Sequence, residues 1–252
     1  MECFMSANGA GKRLVAALPT SPSKARDDIG EVVLAAVDLA VGSKWGPAKQ
    51  RAEKLTGQST SDKVKQLNSM FAKELGIVGA SAGAAAALPT IGTASTLALT
   101  ATEFSYFTMR SGELILTIGA LHGYSEASVE EQRAWILTLL IYGGAASEGF
   151  TKLAGEVGKG VGKKVTKKIP MSVLRAINST AGRQIVTKYG TKRGVIALGR
   201  ALPAGIGMAI GGSANYAGIR LLGRHADKFF GNLPYSTVTA DTLAVEAADD
   251  CR

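Results

Sequence analysis

LGIVGASAGAAAALPTIGTASTLALTAT, residues 75–102, runs for 28 positions without a charge, between Glu74 and Glu103. A stretch of that length formally exceeds what a helix needs to cross a bilayer. Its composition argues the other way. Only Leu75, Ile77, Val78, Leu88, Ile91, Leu97 and Leu99 are strongly apolar, and at ~0.3 to 0.6 kcal/mol each they contribute roughly 2 to 4 kcal/mol toward insertion. Pro89, four glycines, two serines and five threonines stand against them. A membrane span is therefore marginal, and two close-packed helices broken near Leu88-Pro89-Thr90 account for the stretch at least as well.

Downstream, the pattern predicts a helix from about Thr93 to Leu121, closed by a turn at His122-Gly123-Tyr124. On its wheel Glu103, Tyr106, Arg110, Glu113 and Thr117 fall within roughly 80 degrees of one another, a polar stripe among very apolar neighbours. A solvated face is the bland reading and a buried ion pair the alternative. Ser128 and Glu131 have capping-box spacing and open a further helix through Trp135, Ile136, Leu139 and Leu140 to Gly143-Gly144. Upstream, Val33, Leu34, Val37 and Val41 recur at helical spacing, and Gly42 with Lys44-Trp45-Gly46-Pro47 predicts a stop and restart. Val64, Leu67, Phe71 and Leu75 line one face of a helix starting near Ser61.

Charge is localised toward the C-terminal half. Lys152 to Arg200 holds twelve basic residues and one acidic residue, Glu156, so that this segment carries +11 while the chain as a whole carries +9. Lys152, Lys159, Lys163 and Lys167 share one helical face beside Phe150, Leu153, Val157 and Val161, a basic amphipathic pattern. Pro170 interrupts before a helix with Val173, Leu174 and Ile177. The last helix is predicted after Pro203 to about Phe230. On it Gly207, Gly211, Ala214 and Gly218 form a smooth stripe expected to pack backbone to backbone against a neighbour.

The chain has 252 residues, 46% of them hydrophobic and only 6% aromatic, enough for a large core built from Ala, Leu, Ile and Val and too apolar for disorder over most of its length. Period-two alternation is missing, so sheet is not supported. Cys3 and Cys251 sit in tail-like segments at opposite ends, and His122 and His225 are far apart with no cysteine nearby. Neither a disulfide framework nor a zinc site follows. Lys12-Arg13 precede only five apolar residues before Pro19, too few for a secretory h-region. The expected location is the cytoplasm.

Two catalytic-looking strings fail on context. Gly79-Ala80-Ser81-Ala82-Gly83 fits G-x-S-x-G, but no strand precedes it and no aspartate lies between Ser81 and His225. Gly9-Ala10-Gly11-Lys12 suggests the end of a P-loop, yet Ser6 stands where the first glycine belongs and Arg13 where magnesium needs Ser or Thr. No catalytic residue, cofactor or metal ligand is assigned. The basic segment could neutralise nucleic-acid phosphates, but only Tyr189 interleaves it with an aromatic ring. An anionic membrane surface satisfies the same charge and also uses the adjacent apolar faces, and is preferred.

The order of elements resembles that of the EcsC protein family from about residue 40 to 230. The resemblance is carried by the Gly/Ala-rich run into Leu88-Pro89, by Glu103 with Arg110 on the same helix, and by Leu121-His122-Gly123-Tyr124 in place of a tyrosine-glycine-tyrosine turn. Its most specific part is Leu202-Pro203-Ala204-Gly205 through Gly211-Gly212-Ser213-Ala214-Asn215-Tyr216 to Gly223-Arg224. His122 departs from the family's tyrosine. The resemblance implies a helical protein with no established activity, working near a membrane in the context of an ABC transporter.

Together these readings predict an all-α chain: a flexible lead-in over 1–22, a compact multi-helix bundle over 23–230 with the Gly/Ala-rich helices at its centre, and an acidic tail over 231–252. The expected function is that of a non-enzymatic, peripherally membrane-associated accessory protein. Lys159, Lys163, Lys164, Lys167 and Lys168 are the lipid-surface residues, and a membrane transporter or another protein is a further partner. The alternative is a soluble enzyme or scaffold with a polar pocket formed by Glu103, Tyr106, Arg110 and Tyr124.

Overall fold

The computed structural model describes residues 24–86, 93–124, 126–160, 171–200 and 204–233. Within them the chain is helical throughout: α1 (Lys24–Lys54), α2 (Thr60–Ala86), α3 (Thr93–Leu121), α4 (Val129–Tyr142), a 3-10 turn at Gly143–Ala145, α5 (Ala146–Gly160), α6 (Met171–Arg200) and α7 (Ala204–Gly231). No strand occurs among the described residues. The protein is an all-α bundle.

Local chemistry explains several boundaries. Ser59 accepts from the Asp62 amide at the start of α2. At α4 the Ser128 hydroxyl accepts from the Glu131 amide while the Glu131 carboxylate accepts from the Ser128 amide, the reciprocal capping that the spacing predicted. Helix α3 ends in a turn where Tyr124 N–H donates to Gly119 O at 3.1 Å and Gly123 adopts φ 90°, a left-handed conformation that glycine reaches without a steric penalty.

The predicted stop at Gly42 to Pro47 does not occur, since α1 continues through Pro47. Val33, Val37, Ala40 and Val41 before the proline and Ala48, Ala52 and Leu55 after it are all buried, so one continuous face packs on α3 and outweighs the lost backbone hydrogen bond. The contact is close: a Cβ on Gly112 of α3 would lie 2.7 Å from Ala40 Cβ.

Helices α1 with α3, and α2 with α7, are the two most extensive pairings, and α4 with α6 closes the other side. Phe71, Trp135, Phe150 and Phe229 are the largest fully buried side chains. Around Trp135 the rings of Tyr124 and Phe230 pack edge-on or tilted at 5.1 to 5.7 Å, within the range where aromatic pairs attract beyond their area.

On α7 the tight contact runs one residue away from the predicted stripe. Ala214 and Gly218 are exposed, while a Cβ on Gly212 would lie 3.1 Å from Ala80 Cβ and one on Gly223 only 2.4 Å from Asn68 Cγ. The burial of Gly207 and Gly211 lies outside the described residues. Small residues occupy two neighbouring faces of this helix and cannot by themselves choose between them. The choice is made by Asn215, Ile219, Leu222, Ala226 and Phe229, which are buried and pull their side of the helix inward.

Candidate functional site

Between α1, α2 and α3 lies a cluster of charged side chains. Tyr106, Arg110 and Glu113 stand three and four residues apart on α3 and so project on one side. Arg110 grips Glu74 of α2 with a fork: Nε donates to Oε1 at 2.7 Å and Nη2 to Oε2 at 2.5 Å. Its Nη1 donates to Glu113 Oε2. The Tyr106 hydroxyl donates to Glu74 Oε1 at 2.7 Å. From α1, Arg51 Nη2 donates to Glu113 Oε1 at 2.9 Å, and Lys44 Nζ stands 4.0 Å from Oε2 of the same carboxylate. Phe71 lies beneath, its ring centroid 4.5 Å from the Arg110 guanidinium and 5.4 Å from that of Arg51, in the geometry of cation–π attraction.

Depth within the cluster is uneven. The Glu113 side chain is 2% exposed and that of Arg110 13%, while those of Arg51 and Glu74 are 33% and 35% exposed. A carboxylate as buried as Glu113 requires partners, and two guanidiniums supply them. Burial by itself would raise the Glu74 carboxyl; hydrogen bonds from Arg110 and Tyr106 and the charges of Arg110 and Arg51 outweigh it and hold Glu74 below its ordinary value. Burial and the bond to Glu74 push the Tyr106 phenol up to about 12. Burial opposes the Arg110 charge, but Glu74 and Glu113 more than compensate and raise it. The donors of Arg110 are thus directed at carboxylates of the chain itself, the arrangement of a structural tie.

Of the four residues expected to form a polar pocket, the structure brings Tyr106 and Arg110 together, at Glu74. Glu103 is buried and accepts from Asn215 Nδ2 of α7 at 3.1 Å, and that same nitrogen reaches Leu75 O at 3.3 Å. Tyr124 belongs to the opposite end of α3. Arg110 and Leu121 are already separated by roughly 16 Å of helix, and beyond Leu121 the Tyr124 ring packs on Trp135 and Phe230. Burial raises its phenol as well. Beside it His122 Nε2 meets Asp227 Oδ1 at 2.8 Å.

Sequence reasoning passed over Glu74, Lys44 and Arg51. Glu74 carried a signal: it is flanked on its own helical face by Phe71 and at the next position by Leu75, both core residues, which surface carboxylates seldom are. Lys44 and Arg51 carried none, because the expected break at Pro47 separated them.

Lys159 lies in the last turn of α5, where side-chain placement is not described, and Lys163, Lys164, Lys167 and Lys168 lie outside the described residues. Of the same basic segment Lys152 of α5 is exposed, as are Arg175 and Arg183 of α6, the latter two opposite that helix's buried Val173, Leu174, Ile177, Ala181 and Ile185. Among the described residues no helix is long and apolar enough to cross a membrane, and no group of His, Cys, Asp and Glu there could hold a metal ion. Comparison with family models, curated proteins and solved structures finds no match for this chain.

Proposed function

We propose that this chain is a non-enzymatic accessory protein of the EcsC type that lies on an anionic membrane surface through its basic segment, Lys152 to Arg200, and that an ABC-type membrane transporter is the partner it serves. The observation that carries the reading is the segregation of charge, +11 over these residues in a chain whose total is +9. The outward position of Lys152, Arg175 and Arg183 supports it. Each lysine near a negative leaflet gains on the order of 1 kcal/mol, so Lys159, Lys163, Lys164, Lys167 and Lys168 form an ample electrostatic contact. The pairing of Arg110 and Arg51 with Glu74 and Glu113 favours a tie between helices over a catalytic pocket.

The test is flotation with vesicles containing phosphatidylserine or cardiolipin at ~0.1 M and ~1 M salt, where the screening length drops from about 10 Å to about 3 Å. Binding at low salt that falls steeply at high salt, and is lost when the five lysines are replaced by glutamine, is the expected result. Absence of binding at both salts overturns the reading and leaves a soluble enzyme or scaffold.

A further inference from the structure

The exposed side of α7 carries a line of cations. Arg220, Arg224 and Lys228 follow one another at four-residue spacing and so share one face, and all three are exposed. Ala217 and Leu221 lie exposed on the same face. No carboxylate of α7 or of its partner α2 answers the line: Asp62 is engaged by Ser59 and Lys65, Glu74 by Arg110 and Asp227 by His122. Among the described residues none of the three cations is in an ion pair. Their charge is felt nearby, since burial, and after it Arg224 and Lys228, hold His225 below its ordinary value.

We propose that the acidic C-terminal segment of this same chain, residues 234–252, doubles back and docks on the cationic face of α7. The proposal is independent of the membrane reading above and uses different residues.

Charge complementarity selects this occupant from the rest of the chain. Residues 234–252 hold Asp241, Glu246, Asp249 and Asp250 against Arg252 alone. The other segments outside the described helices and turns offer nothing comparable: 1–23 has Lys12 and Arg13 against Glu2, 161–170 has four lysines and no acid, and 87–92 and 201–203 have no charge. Leu243 and Val245 place apolar side chains within the acidic run, and the face of α7 offers Leu221, 46% exposed, among its cations. Covering Leu221 removes apolar surface from water as the opposite charges meet.

Chain length permits the contact and proximity favours it. Helix α7 ends at Gly231, so the cationic line begins three residues before the end of the helix and reaches back to Arg220, roughly 17 Å along the axis. Eight residues lead from Leu233 to Asp241, and extended they span about 26 Å. Every acid of the segment is therefore within reach of the line. A segment tethered this closely acts at an effective concentration on the order of millimolar, which weak charge pairs can use and an untethered acidic partner must match.

The experiment uses the full chain with Cys3→Ser, so that Cys251, next to Asp250, alone carries a fluorophore. Its anisotropy should be high at ~0.1 M salt and fall at ~1 M, where the screening length drops to about 3 Å. Arg220→Glu, Arg224→Glu and Lys228→Glu together should give the high-salt value already at low salt with helix content unchanged, and lysine at 241, 246, 249 and 250 in that variant should restore the high value. Asp241→Asn, Glu246→Gln, Asp249→Asn and Asp250→Asn should cause the same loss without touching the helix. In the unlabelled wild type, carbodiimide should couple these carboxylates to Lys228 several-fold more at low salt than at high. Anisotropy equal at both salts, or a charge exchange that restores nothing, overturns the proposal. Coupling to Lys163, Lys164, Lys167 or Lys168 in place of Lys228 overturns it as well, because the basic segment is then the seat. So does an anisotropy that rises with concentration as sedimentation finds a dimer, because a second copy then supplies the occupant. No vesicle enters the measurement, so its failure leaves the membrane reading standing.

Discussion

Two neighbouring stretches of α2 hold their partners by opposite means. At Phe71 and Glu74 the helix meets α1 and α3 through charge, with guanidiniums over a ring and two carboxylates shared among basic side chains. Two residues further on, at Gly76 and Ala80, it meets α7 through backbone proximity, with no charge on either side. The first contact is directional and depends on every partner being present. The second depends only on volume. One helix therefore changes from a polar to a smooth binding mode within a single turn, just past Lys73 and Glu74, the last charged residues of α2.

The sharpest way to break the charged half is Arg110→Leu. It leaves the Glu113 carboxylate, 2% exposed, with Arg51 as its remaining close partner, and it leaves Glu74 without its fork. Removing one member of a buried pair costs on the order of 3 to 5 kcal/mol, so chemical denaturation should show a loss in that range. A loss under about 1 kcal/mol would mean that water reaches Glu113 freely and that the cluster belongs to the surface.

The smooth half should respond to size alone. Gly212→Leu is expected to cost on the order of 1 to 3 kcal/mol through overpacking against Ala80 and the Gly76 carbonyl, whereas Ala214→Leu, on the exposed side, should stay within about 0.5 kcal/mol. Thermal melts of the pair decide the register of α7. The opposite ranking would restore the face of Ala214 and Gly218 as the buried one.

That pair of variants also marks how much was legible beforehand. Helix class and most ends could be read because they rest on local chemistry: the Ser128 and Glu131 cap, the Gly123 turn, the apolar spacing of Val64, Leu67, Phe71 and Leu75. The rotation of α7 could not, since Gly211 and Gly212 are equally small and only tertiary burial of Ile219 and Phe229 separates them. The continuity of α1 through Pro47 was hidden for a similar reason, because a local breaker is overruled by packing on α3. Of the polar site, the α3 members Tyr106, Arg110 and Glu113 lay on one stripe and were visible. Their partners Glu74, Lys44 and Arg51 come from other helices, which periodicity along one helix cannot bring together.

The smallest effect separates the two halves by pH. Glu74 is held below the ordinary carboxyl value of 4.5 by hydrogen bonds and cations that overcome the opposing effect of burial. A carboxyl depressed in the folded state binds its proton more weakly there than in the unfolded chain. Its contribution is therefore complete above the unfolded value near 4.5 and is lost as pH falls through the lower folded value. Stability measured downward from neutral pH should decline in that acid window, and Glu74→Gln should flatten the decline there while lowering stability at pH 7. The Gly212→Leu variant, which touches no titrating group, should run parallel to wild type across the same window. If Glu74→Gln also runs parallel, the fork to Arg110 is open to solvent and the contrast between the two halves of α2 is one of composition alone.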